Sequence, residues 1–197
     1  LLRERLLPEL ARERHAARRL RIWCAAASTG QEPYPLAMTV ADVPALAGWR
    51  VEILATDYSA AALERARAGL YTHFEVQRGL PVQMLVKHFT REGDDWRISP
   101  ALRGAVSFRE SNLLEPFGHL GSFDLVLCRN VLIYFDPPTK RGVLDRLAGQ
   151  LAPDGYLFLG AAETVLGISD RFERVAGAST SVYRTARPAG QALSRAS

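Results

Sequence analysis

The chain is poor in cysteine, with two in 197 residues, which excludes a disulfide scaffold. Cys24 and Cys128 each lie inside an apolar, strand-like run, and neither belongs to a Cys/His cluster at metal spacing, so both read as reduced core thiols. Long apolar runs are missing too. Nothing approaches the roughly 18 to 20 apolar residues of a membrane span, and the Arg-rich start is not followed by an apolar segment with a cleavage site. The expectation is a cytoplasmic protein without direct membrane insertion. There is no internal repeat, no G-x-G-x-x-G fingerprint, and no P-loop, because no Lys follows Gly30. The formal charge of +4 is concentrated at the start, in Arg3, Arg5, Arg12, Arg14, Arg18, Arg19 and Arg21. A solvated, Arg-rich helix face explains that excess better than a polyanion site, and no nucleic-acid partner is expected.

What is present, 48% hydrophobic and 23% charged residues over this length, suits one globular domain with short extensions. The organising stretch is Arg21 to Tyr34, RIWCAAASTGQEPY. Ile22, Trp23 and Cys24 favour a strand, and Ala25 to Ser28 are small enough for another molecule to approach the backbone. Gly30 permits a positive φ, and Glu32-Pro33-Tyr34-Pro35 reads as a helix start, with the helix running to about Ala47. Strand, glycine loop and helix N-terminus make a generic nucleotide pocket. Glu32 narrows it: a carboxylate repels phosphate but suits a cationic or hydroxyl-rich ligand.

A second strand over Val51 to Thr56 ends at Asp57, and Ser59 caps the next helix. An acid at that strand tip is placed to accept from ribose hydroxyls, although an ordinary helix-capping Asp fits equally well. Tyr71 to Thr90 reads as an amphipathic helix, and Gly93-Asp94-Asp95 as the tip of an inserted hairpin. After the strand 106–109, Asn112 suits either a planar polar edge such as a purine or a plain turn. Phe123 to Cys128 has the continuous apolar pattern of a central parallel strand. Arg129 and Asn130 interrupt it where open α/β sheets bind ligands, and packing does not explain them. Val131 to Asp136 continues as an apolar run, in which Tyr134 serves either as core or as a reach back to the same edge. A helix over 138–151, a Pro153-Asp154-Gly155 turn, a strand over 156–160 and a terminal hairpin across Gly177 complete the pattern.

RIWCAAASTGQEPYPLAM, ILATDYSAAALERARAGLY, SNLLEPF, FDLVLCRNVLIYFD and LAPDGYLFLGAAE together resemble the CheR family of chemoreceptor glutamate methyltransferases, over about residues 10 to 185. The resemblance implies an α/β, Rossmann-like class I methyltransferase fold, with a mostly parallel seven-stranded sheet, a terminal antiparallel hairpin and a small β insertion near 89–105. It implies a helical lead-in over 1–20 as the remnant of a linker from a missing N-terminal domain, the methyltransferase domain over 21–186 and a flexible tail over 187–197. The implied cofactor is S-adenosylmethionine, with S-adenosylhomocysteine as product and no metal. By the family's motifs Glu32 takes the amino end of the cofactor or nearby polar groups, Asp57 the ribose hydroxyls, and Asn112 and Leu113 the adenine. Arg129 and Asn130 line the cofactor and acceptor side, and Arg129 and Tyr134 are the implied catalytic pair. The implied partner is a chemoreceptor cytoplasmic domain, met by a monomer. Pro35 and Ala27 stand where many members carry Ser and Cys, and Ala162 precedes Glu163 where Ser is common. The family's small N-terminal helical domain is not among these residues, which keeps a second reading alive: a non-catalytic module that binds the cofactor or its product in signalling.

Overall fold

Strands and helices alternate along the chain as its apolar runs require, in a computed structural model that describes residues 1–77, 80–178 and 181–186. Seven strands form a mostly parallel sheet and three more a small antiparallel one. Two compact units divide at residue 115, and each is taken in turn.

In the first unit, a π-helical turn (Leu2–Leu6) leads into α1 (Leu7–Glu13), then β1 (Arg19–Ala25), α2 (Pro33–Ala41), β2 (Arg50–Asp57) and α3 (Ala60–Ala68). Next come β3 (Leu70–Thr72), α4 (His73–Gln77), α5 (Val82–His88), β4 (Phe89–Glu92), β5 (Asp95–Ile98), α6 (Pro100–Gly104) and β6 (Val106–Glu110). Strands β1 and β2 pair in parallel from Arg19↔Arg50 to Ala25↔Thr56, and β2 pairs with β6 out to Asp57↔Glu110. The carboxyl ends of three strands therefore lie side by side. Ile22, Trp23 and Cys24 are fully buried, and the Trp23 indole N–H donates to the Thr56 hydroxyl at 2.9 Å, so the one polar atom of the largest core side chain is satisfied. Arg19, Arg21 and Arg50 converge on the Glu52 carboxylate, and the hydrogen bond from Arg19 is the main reason that this acid is held below the usual carboxylate range. Part of the arginine excess is thus spent on an ordinary sheet-face cluster.

In the second unit β7 (Phe123–Cys128) is buried at every position, as its unbroken apolar pattern requires. Next comes α7 (Pro137–Gln150), whose N-cap Asp136 accepts from the Thr139 amide at 2.8 Å, and then β8 (Leu151–Leu159), β9 (Phe172–Arg174) and β10 (Val182–Thr185). Strands β7 and β8 run parallel to the pair Cys128↔Leu159, while β10 lies antiparallel to both β8 and β9, which is the expected terminal antiparallel pair. Both cysteines are buried thiols outside any disulfide.

Four details differ from the sequence reading. The segment expected as a helix over 71–90 opens as β3, because Tyr71 is drawn into pairing with Trp96 and into edge contacts with Tyr34 and Phe89, and among the described residues helix resumes in two short pieces, α4 and α5. The helix expected to reach Ala47 stops at Ala41, since Val43 precedes Pro44 and is held extended at φ −93°, ψ 108°. Residues 153–155 are not a turn but the middle of β8, where a Cβ on Gly155 would lie 2.9 Å from the Asp124 carbonyl. Finally, the apolar run after Asn130 is not strand but a 3-10 turn, Leu132–Tyr134, for a reason found in the functional site. The tail over 187–197 lies outside the described residues.

Gly69 closes α3 at φ +60°, with its N–H returned to the carbonyls of Arg65 and Ala66, and a Cβ there would meet Ile98 Cγ2 at 2.5 Å. Gly69→Ala is expected to cost roughly 1–3 kcal/mol through both the left-handed backbone and the clash, read as a lower midpoint in urea unfolding with an unchanged slope.

Candidate functional site

The loop after β1 carries an unusual density of left-handed backbone: Ala26 at φ 63°, Ser28 at φ 49° and Gly30 at φ 96°. Only the last requires glycine on steric grounds, because a Cβ there would sit 2.6 Å from the Tyr71 hydroxyl oxygen. That hydroxyl donates to the Thr29 carbonyl at 2.8 Å, and Tyr34, packed edge-on against Tyr71, donates to the Ala66 carbonyl at 2.7 Å. Two buried tyrosines thus hold the loop from behind. On its other side the Ala27 amide donates to the Thr56 carbonyl at 2.9 Å. A loop strained at two non-glycine residues persists only when its surroundings fix it this firmly.

Asp57 supplies the remaining restraint. Its Oδ2 accepts from the Ser28 amide at 2.8 Å and its Oδ1 from the Ser59 amide at 2.9 Å, while its main-chain carbonyl accepts from the Ser111 amide at 3.0 Å. One residue therefore ties together the loop after β1, the turn into α3 and the segment after β6. The helix-cap reading holds only in part, since the Ala62 amide is capped by Ser59 and not by Asp57. Each carboxylate oxygen has a second lone pair, so the amide bonds leave capacity for ligand hydroxyls.

Glu32 is the N-cap residue of α2 and makes no side-chain cap bond. Burial pushes the neighbouring Cys24 thiol well up, and the Glu32 charge adds to it, as expected of a negative charge close to the end of β1. Asn112 follows β6: its Oδ1 accepts from the Leu114 amide at 2.9 Å, its Nδ2 donates to Glu115 at 3.3 Å, and Leu113 beside it is buried. These bonds are those of the plain-turn reading, and they also fix the orientation of the amide. Glu32, Asp57, Asn112 and Leu113 all belong to the first unit and lie at or beyond the carboxyl ends of three neighbouring strands. Two carboxylates and an amide around a backbone loop suit a cationic, hydroxyl-bearing nucleoside and oppose phosphate. Among the described residues no group of His, Cys, Asp and Glu is arranged to hold a metal.

In the second unit, β7 ends at Cys128 and the chain turns at once. Arg129 and Asn130 are exposed, and Asn130 is left-handed at φ 57°. Tyr134 is 80% exposed, which rules out the core role left open by its apolar neighbours. The residue that sequence reasoning passed over is Glu163. It is only 6% exposed, and its carboxylate accepts from the main-chain amides of Asn130, Val131, Leu132, Ile133 and Gly160 at 2.6–3.3 Å. Those amides, engaged by a side chain, have no part in a strand ladder, which is why the apolar run 131–135 turns instead of extending. A signal was available: an acid four residues past the end of β8, within the segment Gly160-Ala-Ala-Glu163-Thr-Val of otherwise small or apolar residues.

Burial raises the Tyr34 hydroxyl from the ordinary 10 to about 12, with Arg103 offsetting part of the effect, and burial raises Tyr71 as well. The unfolded chain then loses these protons first, so stability that is complete below pH 10 drains away between pH 10 and 12. Urea midpoints of Tyr34→Phe are expected to fall less steeply over that window than those of the unaltered chain; equal slopes would contradict the assignment.

The sequence matches the family described as CheR methyltransferase, SAM binding domain, over residues 1–181. It is 43% identical over 191 residues to chemotaxis protein methyltransferase 1 of Pseudomonas aeruginosa, covering 93% of this chain and 69% of that protein. It is 43% identical over 180 residues to chemotaxis protein methyltransferase 1 of Vibrio cholerae, covering 89% of this chain and 64% of that protein. With the chemotaxis protein methyltransferase of Escherichia coli it shares 41% over 166 residues, covering 80% and 58%. The chain thus spans about 58% to 69% of the length of these relatives. On a match running through nearly its whole length, the chain belongs to the CheR methyltransferase family and comprises its S-adenosylmethionine-binding domain.

Proposed function

We propose that the protein carrying this domain methylates glutamate side-chain carboxylates on the cytoplasmic part of chemoreceptors, drawing the methyl group from S-adenosylmethionine. The observation that supports this most is the restraint of the loop after β1 by Asp57, which leaves a carboxylate and a line of small residues at the rim formed by β1, β2 and β6. The cofactor brings a methyl group on a positively charged sulfur, poised for in-line displacement. Asp57 orients the ribose by accepting its hydroxyls, Glu32 attracts the cationic amino end, and Asn112 with Leu113 meets the adenine by amide edge and apolar face.

The acceptor needs no base. A glutamate ionises near pH 4.3 and is a ready nucleophile at neutrality, so what the protein supplies is alignment and exclusion of water. Opposite charges cancel as the methyl moves, and a drier surrounding favours that step over the separated ions. Arg129 is assigned to hold the acceptor carboxylate or the cofactor side by charge-assisted hydrogen bonds, Asn130 to line the same edge, and exposed Tyr134 to orient the reacting groups. A salt bridge stronger in the ground state than in the transition state would slow the reaction, so Arg129 serves best as an orienting contact.

The test is methyl transfer to a purified chemoreceptor cytoplasmic fragment by the full chain, beside Asp57→Ala. The substitution removes charge-assisted bonds and frees the Ser28 amide, and is expected to weaken cofactor binding by calorimetry roughly 10- to 100-fold. Equal labelling by both proteins would overturn the reading. Tight cofactor binding with no transfer to any receptor fragment would instead favour the non-catalytic signalling module.

A further inference from the structure

We infer that Glu163 is a positioning residue for this reaction: its buried carboxylate gathers the amides of 130–133 and so fixes the turn on which Arg129, Asn130 and Tyr134 are presented. The inference rests on the methyl-transfer reading above and adds to it a residue that contacts neither cofactor nor acceptor.

The geometry follows from the sheet. Strands β7 and β8 run parallel and end together at the pair Cys128↔Leu159, so the residues after each strand emerge side by side. On the β8 side Gly160 and Glu163 close a short turn, the Glu163 amide donating to the Gly160 carbonyl at 3.0 Å and the Gly160 amide to Glu163 Oε2 at 2.6 Å. On the β7 side the chain must leave the sheet at once, and the amides that start a helical turn have no acceptor of their own. Glu163 answers both needs. Oε2 takes the Asn130 amide at 2.8 Å, and Oε1 takes those of Val131, Leu132 and Ile133 at 3.0, 2.8 and 3.3 Å. The turn then closes on itself, with the Tyr134 amide donating to the Val131 carbonyl at 3.2 Å and that of Phe135 to Leu132 at 3.0 Å.

Two features show that the arrangement is tightly specified. A buried carboxylate is costly unless its lone pairs are used, and this one is matched by five donors. Gly160 is also the residue that the clamp demands, since a Cβ there would lie 2.6 Å from both Glu163 Oε2 and Asn130 Oδ1 and 3.0 Å from the Asn130 amide nitrogen. Asn130 itself is held left-handed at φ 57°, a conformation that Asn tolerates better than most residues.

Glu163→Gln keeps the shape and removes the match. An amide offers one acceptor oxygen, and its NH2 group then faces amides that can only donate. Methyl transfer to a chemoreceptor cytoplasmic fragment is measured at saturating S-adenosylmethionine for the full chain, Glu163→Gln, Gly160→Ala, Arg129→Ala and the Arg129→Ala/Glu163→Gln pair. Amide hydrogen exchange is followed at 130–133 in the first three. The clamp predicts slow exchange at Val131 and Leu132 in the unaltered chain and exchange at least tenfold faster in both clamp variants. It predicts a fall in kcat of about tenfold or more in each clamp variant, and a double variant whose loss is smaller than the product of the two single losses, because both act through one turn. Should Glu163→Gln fail to fold, Gly160→Ala decides the matter without touching the charge. Clamp variants as active as the unaltered chain, losses that multiply in the double variant, or fast exchange at 131 and 132 before any substitution would each overturn the inference. An unaltered chain that transfers no methyl group overturns the parent reading and the positioning role with it, whereas an active chain with unimpaired variants overturns the clamp alone.

Discussion

Everything at the rim of the first unit depends on one carboxylate that spends its hydrogen bonds on main-chain amides. Asp57 reaches from the end of β2 to the Ser28 amide on one side and the Ser59 amide on the other. Without that pair of bonds, the left-handed residues Ala26 and Ser28 would have little reason to stay in a costly conformation, and the loop would lose the shape that lets a ligand approach its backbone. The tyrosines behind the loop and the glycine between them complete the restraint, each excluding a different escape for the chain.

Glu163 repeats the same device in the second unit with more donors and deeper burial. In both places a strand of a parallel sheet ends, the chain must turn sharply, and the amides released at the turn are collected by an acid from elsewhere in the same unit. The device is economical because backbone amides are obligatory donors that must be satisfied somewhere. An acid that satisfies several at once converts a loop into a fixed surface, on which Arg129 and Tyr134 can hold a defined direction despite their exposure.

Much of this was legible in the sequence, for reasons that differ between elements. The unbroken apolar run of β7 and the strand-glycine-helix order around Gly30 speak through period and composition, so the α/β sheet follows directly. Asp57, Arg129 and Asn130 stood out because polar residues at strand ends are not required by packing. Tyr71 was misread because helical spacing in 71–90 ignores what a large aromatic gains by pairing with Trp96 and packing on Tyr34. The turn at 131–135 was misread because its cause lies some thirty residues further along, at Glu163, and no local pattern encodes a donor-acceptor match over that separation.

The measurement that tests the central claim most directly is a titration of the isotope-labelled chain with S-adenosylhomocysteine, followed by amide resonances. The account predicts saturable shifts led by Ser28, Gly30, Ser59 and Asn112, the residues that Asp57 and its neighbouring strand ends hold in place. Shifts that do not saturate, or that leave those four unmoved while others respond, would contradict it.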